Sequence, residues 1–311
     1  MTKICLLKSR KIFSPLLLVF LVLGACAKNR SPASRFAVQS ATSAGVIGGQ
    51  AVEKNSALRQ KVMQLALGVS LQKKANGSTE VSWQANCTAS AISPRIVLTA
   101  AHCVVDLKPN QIYLILGESP DEAQVNMANW IPAIGIRYHE KFNGASKLFH
   151  HDIAVILLGE DIPLERILRL AKPNQFQFPL DLVAIGYGTT SASSNEEEMA
   201  KGTKGLQYVL RKVLAFDPES KTFSINQNDH KGFCIGDSGG PGLAYDPDKK
   251  EFVILGVVSN VSMLSGEQDL LDPKGEFNLC IGRGNYTNLL NSEIRTWVQE
   301  KQAELLAQLD P

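Results

Sequence analysis

The 311-residue sequence lacks several features that mark other classes of protein. It has no block of basic residues and no long acidic run, and its formal net charge is only +2. Binding of nucleic acid is therefore not expected, because it depends on clustered positive charge. The sequence also has no Cys-x-x-Cys pair and no compact Cys/His spacing, which argues against a zinc site. We predict neither a metal nor a cofactor.

Long hydrophobic runs are scarce too. The one apolar stretch begins near Ile12 and stops by Ala27, which is too short for a secure transmembrane helix. It follows a basic segment and ends in small residues, the layout of an export signal, so residues 1–25 are predicted to be a signal peptide. Leu23-Gly24-Ala25-Cys26 also resembles the lipobox of bacterial lipoproteins, which implies cleavage before Cys26 and lipidation of its thiol. An ordinary secreted protein is the alternative.

Residues 26–45 contain basic side chains but no acid, and they are rich in Ser, Ala and Gly. This composition predicts a flexible tether or propeptide. Beyond the tether, four of the six cysteines remain, Cys87, Cys103, Cys234 and Cys280. An even number in an exported chain favours two disulfides. Four cysteines allow three pairings, and their spacing does not choose among them.

From about residue 46 the sequence consists of short apolar or alternating segments bounded by turn residues, which predicts a barrel or a sandwich. The predicted strands are Val62–Ser70, Ile96–Ala100, Ile112–Leu116, Ile153–Leu158, Leu182–Ile185, Val209–Leu214 and Phe252–Val258. Only Asn291–Leu309 repeats its apolar residues at helical spacing. Ser191–Gly205 and Ser262–Leu279 are expected to be surface insertions.

Three segments together indicate nucleophilic catalysis. They are Leu98-Thr99-Ala100-Ala101-His102-Cys103, His151-Asp152-Ile153-Ala154-Val155-Ile156-Leu157 and Cys234-Ile235-Gly236-Asp237-Ser238-Gly239-Gly240-Pro241. The Ser238 hydroxyl is a weak nucleophile that needs an adjacent base, and His102 suits that role. Asp152 would fix the tautomer of His102. The backbone N–H groups of Gly236 and Ser238 are placed to hold a developing oxyanion.

The neighbours His150 and His151 could suggest a metal site. Adjacent residues on an extended chain point in opposite directions, so surface placement is the favoured interpretation.

The motifs Thr99-Ala100-Ala101-His102-Cys103, Asp152-Ile153-Ala154 and Gly236-Asp237-Ser238-Gly239-Gly240-Pro241 resemble those of the trypsin/chymotrypsin-type serine endopeptidases, in the same His, Asp, Ser order. The resemblance covers roughly residues 46–301. It implies an all-β fold for a protease domain over residues 46–311. That fold has two six-stranded antiparallel β-barrels, an active site in the cleft between them, and a C-terminal helix.

The resemblance also implies activation by cleavage. Val46-Ile47-Gly48-Gly49 resembles the mature N-terminus of these enzymes, whose free amine pairs with the Asp before the nucleophile, here Asp237. Without the amine, a lone buried carboxylate would be costly. The residue before the cut would be Gly45, which departs from the usual Arg or Lys and leaves open self-processing or no cleavage.

Disulfides and specificity follow from the same resemblance. The family pairing would be Cys87–Cys103 and Cys234–Cys280. The pocket residues that correspond to family positions are Gly232, Phe233, Ser259, Asn260, Val261 and Gly284; Ser259 also resembles the Ser that contacts the catalytic Asp. Trypsin-like members carry Asp at the position of Gly232, so cleavage after Arg or Lys is not expected. Val261 stands where wide-pocket members have Gly, which implies a small or medium apolar residue before the cut.

We therefore predict an exported serine endopeptidase that acts on proteins or peptides as a monomer. It would be lipid-anchored in the bacterial cell envelope through Cys26, or secreted after cleavage near Val46. Two alternatives remain open: a catalytically silent relative that binds proteins at the cell surface, and an enzyme kept latent as a membrane-tethered precursor.

Overall fold

The computed structural model describes residues 46–77, 79–117, 127–144, 149–189, 205–262 and 280–309. All of these residues belong to one compact unit. The predicted signal peptide, Cys26 and the tether lie outside the described residues, and so do most of the two predicted insertions. The described helices include none that is long and apolar enough to cross a membrane.

Short strands are the main secondary structure of the described chain. In chain order they are β1 (Gln50–Ala51), β2 (Val62–Leu67), β3 (Ser70–Lys73), β4 (Thr79–Ser82), β5 (Ala85–Ser93), β6 (Ile96–Thr99), β7 (Ile112–Ile115), β8 (Trp130–Tyr138), β9 (Ala154–Leu158), β10 (Arg169–Leu170), β11 (Asp181–Gly186), β12 (Gln207–Asp217), β13 (Thr222–Asn226), β14 (Pro241–Asp246), β15 (Glu251–Ser262) and β16 (Arg283–Asn288). The α-helices among the described residues are α1 (Ala57–Lys61) and α2 (Ser292–Leu306).

Antiparallel pairing closes the strands into two six-stranded barrels. The first barrel runs in the order β2-β5-β6-β9-β8-β7. The second runs β12-β11-β14-β15-β16-β13 and closes through pairing of β12 with β13. Strand β1 adds to β12, and β10 adds to β15 in parallel. The predicted pair of six-stranded barrels is therefore confirmed.

Continuous apolar runs form the strands at the centre of the first barrel. Every residue of β2, β6 and β9 is buried. The continuous burial explains why these segments lack the polar alternation of a half-exposed strand. The catalytic candidates His102 and Asp152 are attached to two of these strands, so their backbone positions are set by the barrel core.

A bulge in β15 places one of the predicted site residues. Val258 pairs with Tyr286 and Asn260 pairs with Asn285, so Ser259 is the extra residue between two regular pairs. The hydroxyl of Ser259 reaches across to Asp152 in the first barrel. The bulge thus brings a second-barrel side chain to the centre of the predicted site.

Helix α2 begins after Asn291, whose side chain accepts hydrogen bonds from the backbone N–H groups of Glu293 and Ile294. It packs on β8 and β9 of the first barrel. Its apolar face is buried through Ile294, Trp297, Val298 and Leu305. The predicted C-terminal helix is confirmed and ends at Leu306 rather than Leu309.

Several strands differ from those that the sequence pattern predicts. Val62–Ser70 was expected as one strand, but it divides at Gly68, where φ is +66°. Strand β5 reads Ala-Asn-Cys-Thr-Ala-Ser-Ala-Ile-Ser and has few large apolar residues, although its middle is fully buried. Thr88 in this strand bonds to Gly236 and Ser238 of the second barrel, and Ala89 and Ala91 pack in the core. The burial of this strand comes from tertiary packing and not from a visible period.

Candidate active site

A buried carboxylate forms the centre of the site. Asp152 lies just before β9, and none of its surface is exposed. Its Oδ2 accepts hydrogen bonds from His102 Nδ1 at 2.7 Å and from Ser259 Oγ at 2.6 Å, and its Oδ1 accepts from the His102 backbone N–H at 2.9 Å. Thr287 Oγ1 donates to the Asp152 carbonyl at 2.7 Å. The hydrogen bonds supply the partners that a buried charge requires.

His102 lies in the 3-10 turn Ala101–Cys103, which follows β6. A disulfide joins Cys103 to Cys87 in β5 and fixes this turn to the barrel. A carboxylate only accepts hydrogen bonds, so the contact with Asp152 assigns the ring proton to Nδ1 and leaves a lone pair on Nε2. The His102 side chain is 24% exposed, so the free nitrogen is accessible from the cleft.

Ser238 lies in the turn before β14 and lines the same cleft as His102 and Gly236, a space of about 380 Å³. Among the described contacts, no hydrogen bond joins the Ser238 hydroxyl to His102. In sites without substrate such bonds are often long or poorly aligned, and they tighten on binding.

Thr88 connects the first barrel to the loop that carries Ser238, and the sequence analysis missed it. Its N–H donates to the Ser238 carbonyl at 2.8 Å, and its hydroxyl donates to the Gly236 carbonyl at 2.8 Å. The same hydroxyl accepts a hydrogen bond from the Tyr187 N–H at 3.3 Å. Thr88 directly follows Cys87, and this adjacency to the disulfide was the one available sequence signal.

The backbone around Ser238 depends on glycine. Gly236 has a φ of +90° and Gly239 a φ of +80°. A Cβ at Gly239 would also overlap the Thr99 hydroxyl and the Thr88 carbonyl, so no larger residue fits. Within the described residues, the N–H groups of Gly236 and Ser238 have no hydrogen-bond partner. Both residues line the cleft that contains the Ser238 hydroxyl.

Asp237 is fully buried directly before the candidate nucleophile. Its Oδ1 accepts from the Gly188 N–H at 2.7 Å and its Oδ2 from the Cys234 N–H at 2.9 Å. Burial raises the pKa of Asp237 to about 7, and the two N–H donors offset only part of that rise. No Lys, Arg or His side chain in the described ranges pairs with this carboxylate.

Val46 is buried in the core of the second barrel. The following residue, Ile47, forms an isolated antiparallel bridge with Gly232, and the Gly49 N–H donates to the Val46 carbonyl at 2.9 Å. The segment implied as a mature N-terminus is therefore packed inside the fold.

Gln227 fills the space between two predicted pocket residues and was not found from the sequence. Its side chain is fully buried, its Nε2 donates to the carbonyls of Phe233 at 3.0 Å and Cys280 at 2.9 Å, and its Oε1 accepts from the Phe233 N–H at 3.1 Å. A Cβ at Gly232 or at Gly284 would overlap this side chain. Both glycines thus leave the room that the Gln227 amide occupies.

The remaining predicted pocket residues lie on the neighbouring strands. Strand β15 carries Ser259, Asn260 and Val261, and Val261 pairs with Gly284 in β16. Ser259 is buried against Asp152, whereas Asn260 and Val261 are half-buried. The disulfide Cys234–Cys280 lies beside this group.

The expected surface placement of His151 is wrong. The residue has a φ of +55°, which breaks the extended alternation, and it is buried with its ring centroid 4.5 Å from that of His139. Burial is the largest cause that lowers the pKa of His139 to about 4, and it also lowers the pKa of His151. Both imidazoles are therefore neutral near pH 7. His150 is half-buried.

Comparisons with known proteins agree with this geometry. The family model described as Trypsin matches residues 52–269. The fibrinolytic enzyme isozyme C of Lumbricus rubellus is 26% identical over 183 residues, which cover 51% of this chain and 71% of that protein. Chymotrypsin-C of Bos taurus is 28% identical over 194 residues, 59% of this chain and 70% of that protein.

Some relatives are much longer than their matched part. The chain spans 60% of the serine protease grass of Drosophila melanogaster at 26% identity, and 30% of the serine protease Hayan of the same organism at 28% identity. A solved structure of HL collagenase matches with a TM-score of 0.56 at 21% identity, covering 83% of this chain and 99% of that one. This likeness concerns the fold.

The raised pKa of Asp237 gives a pH-dependent stability in the uncleaved chain. Its pKa is about 7 in the fold against an ordinary value of 3.8, so the folded state binds more protons between about pH 4 and pH 7. The free energy of unfolding therefore falls as the pH rises through this window, by up to about 4 kcal/mol for this group. Asp237→Asn should remove that fall.

The measurement is urea unfolding at pH 5 and pH 8 of two chains that both carry Ser238→Ala, one with Asp237 and one with Asn. The asparagine loses one N–H···O bond at every pH, so that loss cancels when the two pH values are compared. We expect the Asn chain to lose less stability between pH 5 and pH 8. Equal losses in the two chains would contradict the assignment.

Proposed function

The chain belongs to the trypsin family and is a serine endopeptidase, and from this premise we propose that Ser238, His102 and Asp152 are its catalytic triad. The Ser238 oxygen attacks the carbonyl carbon of a peptide bond while His102 Nε2 takes its proton. His102 then gives the proton to the leaving amine, and an acyl-enzyme forms on Ser238. Water, activated by the same nitrogen, releases the acid product.

One observation carries the proposal: the paired Asp152 carboxylate. It holds both the Nδ1 and the backbone N–H of His102, so the ring has one tautomer and one orientation. Nε2 is then the basic atom, and it shares the cleft with Ser238. The carboxylate also favours the imidazolium that forms during attack. The hydrogen bond from Ser259 holds Asp152 in turn.

The oxyanion of the tetrahedral intermediate is held by the N–H groups of Gly236 and Ser238. Their lack of other partners supports this role, since a donor that is already oriented needs no rearrangement during the reaction. Thr88 turns the Gly236 carbonyl away from the cleft by donating to it. The donors of this loop are therefore fixed before substrate arrives.

Cleavage between Gly45 and Val46 activates the enzyme in our proposal. The new amine of Val46 carries a positive charge that pairs with Asp237, whose carboxylate has no cation partner among the described side chains. Pairing favours the ionised carboxylate and so stabilises the arrangement of the loop between Cys234 and Ser238. The uncleaved chain is a latent precursor, and Gly45 indicates an activating protease unlike trypsin.

The substrate residue before the cut is small or of medium size and apolar. Gln227 fills the base between Gly232 and Gly284, and Phe233 lies beside it with its ring edge-on to Tyr286. The bottom of the pocket carries the amide of Gln227 instead of a carboxylate, so it offers no ion pair to an Arg or Lys of the substrate. A filled base leaves a shallow pocket, which agrees with the bulky Val261 on the wall.

Export and anchoring complete the proposal. Residues 1–25 act as the signal, Cys26 carries the lipid, residues 26–45 form the tether, and residues 46–311 form the protease domain. Each buried CH₂ of an acyl chain contributes about 0.8 kcal/mol to membrane binding, so two or three chains hold the protein firmly. Its substrates are proteins or peptides at the bacterial cell envelope.

Ser238→Ala tests the triad. The variant should lose labelling by a fluorophosphonate and lower kcat for peptide hydrolysis by about 10⁶, because no other group in the cleft replaces the nucleophile. Ser93→Ala, at the end of β5, is the matched control and should keep both properties. Full activity in Ser238→Ala would overturn the proposal, and a correctly processed wild type that takes no label would favour a silent binding protein.

Gln227→Ala tests the filled pocket. Removing the side chain should raise kcat/KM for a Phe substrate relative to an Ala substrate by about tenfold, since a pocket gains roughly that much for each extra methylene it can hold. Gln227→Met is the matched control because it loses the same hydrogen bonds but keeps the volume. The account of the pocket is wrong if Ala and Met give the same preference as the wild type.

Cys26→Ser tests the anchor. We expect the wild-type chain in a bacterial host to incorporate a palmitate analogue and to have a blocked N-terminus while tethered, and the variant to incorporate none. N-terminal sequencing of the released form should begin at Val46. Lipid incorporation that survives in Cys26→Ser would contradict the anchor, and a released chain beginning elsewhere would contradict the activation site.

A further inference from the structure

We propose that His139, His151 and Glu293 form a binding site for a Zn²⁺-like divalent cation. The three residues come from different parts of the chain: the end of β8, the segment just before Asp152, and the first turn of α2. Each offers one ligand atom, and these atoms all lie within 4.8 Å of one another. The site shares no residue with the catalytic triad.

The two histidines differ in how they offer a lone pair. Neither ring nitrogen of the buried His151 makes a hydrogen bond in the described structure, and its Nε2 lies 3.5 Å from Glu293 Oε1. His139 Nδ1 accepts from the Lys141 N–H at 3.1 Å, which places the proton of the neutral ring on Nε2. Zinc binding at Nε2 therefore moves this proton to Nδ1 and gives up that one hydrogen bond. The buried His151 imidazole without a hydrogen bond is costly, and a metal ion would remove that cost.

The ring of His139 is already held in place. Trp297 of α2 stacks on it with centroids 4.9 Å apart and an interplanar angle of 25°, and His151 lies on it at 4.5 Å. The Trp297 Nε1–H donates to Glu140 at 2.7 Å, which fixes the indole. A ligand that is oriented before binding loses little freedom when the ion arrives.

Charged side chains around the site compete with a bound cation for the Glu293 carboxylate. Its carboxylate pairs with Lys141 at 2.8 Å and with Lys221 at 3.5 Å. Glu140 lies on the other side of His139, 4.0 Å from its Nδ1. The Lys141 side chain is 67% exposed, so it can move to solvent when the cation takes the carboxylate oxygen. Glu140 is itself paired with Lys301 at 3.0 Å, so an added cation must displace a lysine from Glu293.

The chemistry of the three ligand atoms favours Zn²⁺ over Ca²⁺ and Mg²⁺. Two imidazole nitrogens and one carboxylate oxygen suit Zn²⁺, whereas Ca²⁺ and Mg²⁺ prefer oxygen ligands alone. Zinc–ligand bonds of about 2.0–2.1 Å put neighbouring ligand atoms roughly 3.3 Å apart. His151 Nε2 and Glu293 Oε1 are already 3.5 Å apart. The other compact group, Cys87, His102 and Cys103, is unsuitable because its two sulfurs form a disulfide.

A bound ion would tie helix α2 to the segment that carries Asp152. The His151 carbonyl accepts from the Ile153 N–H at 2.9 Å, and the His139 N–H donates to the Ile153 carbonyl at 3.0 Å. The two histidines therefore hold the backbone on both sides of Asp152. We infer that zinc stabilises the fold at the position of the catalytic carboxylate.

The test is zinc binding to the full chain without a histidine tag, in a Ser238→Ala background, measured by equilibrium dialysis and by thermal unfolding. We expect one Zn²⁺ per chain and a Tm that rises by about 4 °C or more at a hundredfold excess over Kd. Ca²⁺ and Mg²⁺ should leave the Tm unchanged.

Variants locate the site. His139→Gln and Glu293→Gln should each weaken zinc binding by at least about tenfold, and Lys141→Ala should tighten it because the competing ammonium is gone. His150→Gln, which changes the neighbouring histidine outside the group, is the matched control and should bind as the parent does. Glu293 is half-exposed, so its variant remains informative if His139→Gln fails to fold. Binding that survives in both ligand variants, or no binding to the parent chain, would overturn the proposal.

Discussion

The buried carboxylate of Asp152 is the constraint on which the site depends. A charge without access to water must be paired, and the partners here come from both barrels: His102 from the first and Ser259 from the second. The network is complete only when the two barrels are packed together. The pairing that satisfies Asp152 also orients His102, so stability and the proposed chemistry rest on the same hydrogen bonds.

The loop that carries Ser238 is held against the first barrel by contacts to its backbone. Thr88 holds the carbonyls of Gly236 and Ser238, and Gly239 approaches the first barrel so closely that no side chain fits. Hydrogen bonds from Thr88 in β5 thus help to hold the loop that carries Ser238, the proposed nucleophile, and the proposed oxyanion donors. Donors fixed before the reaction are the main source of electrostatic stabilisation in acyl transfer.

The sequence was sufficient for the features that short motifs or periodicity encode. The two barrels and the terminal helix could be identified in this way, and the motifs predict His102, Asp152 and Ser238 as the triad. In the structure His102 contacts Asp152 and shares a cleft with Ser238. Thr88 and Gln227 could not, because each acts by filling space or bonding to backbone that is distant in the chain. The burial of His151 was also missed, since a left-handed residue breaks the alternation that the prediction assumed. Such roles arise from tertiary packing.

The coupling between His102 and Asp152 can be measured directly with a double-mutant cycle on kcat/KM in the cleaved enzyme. Residues that act as one unit show strongly non-additive losses. We expect His102→Ala to remove nearly all activity, Asp152→Ala to remove most of it, and the double variant to be less than about tenfold worse than His102→Ala alone. Losses that multiply, or an Asp152→Ala variant with wild-type activity, would contradict the account.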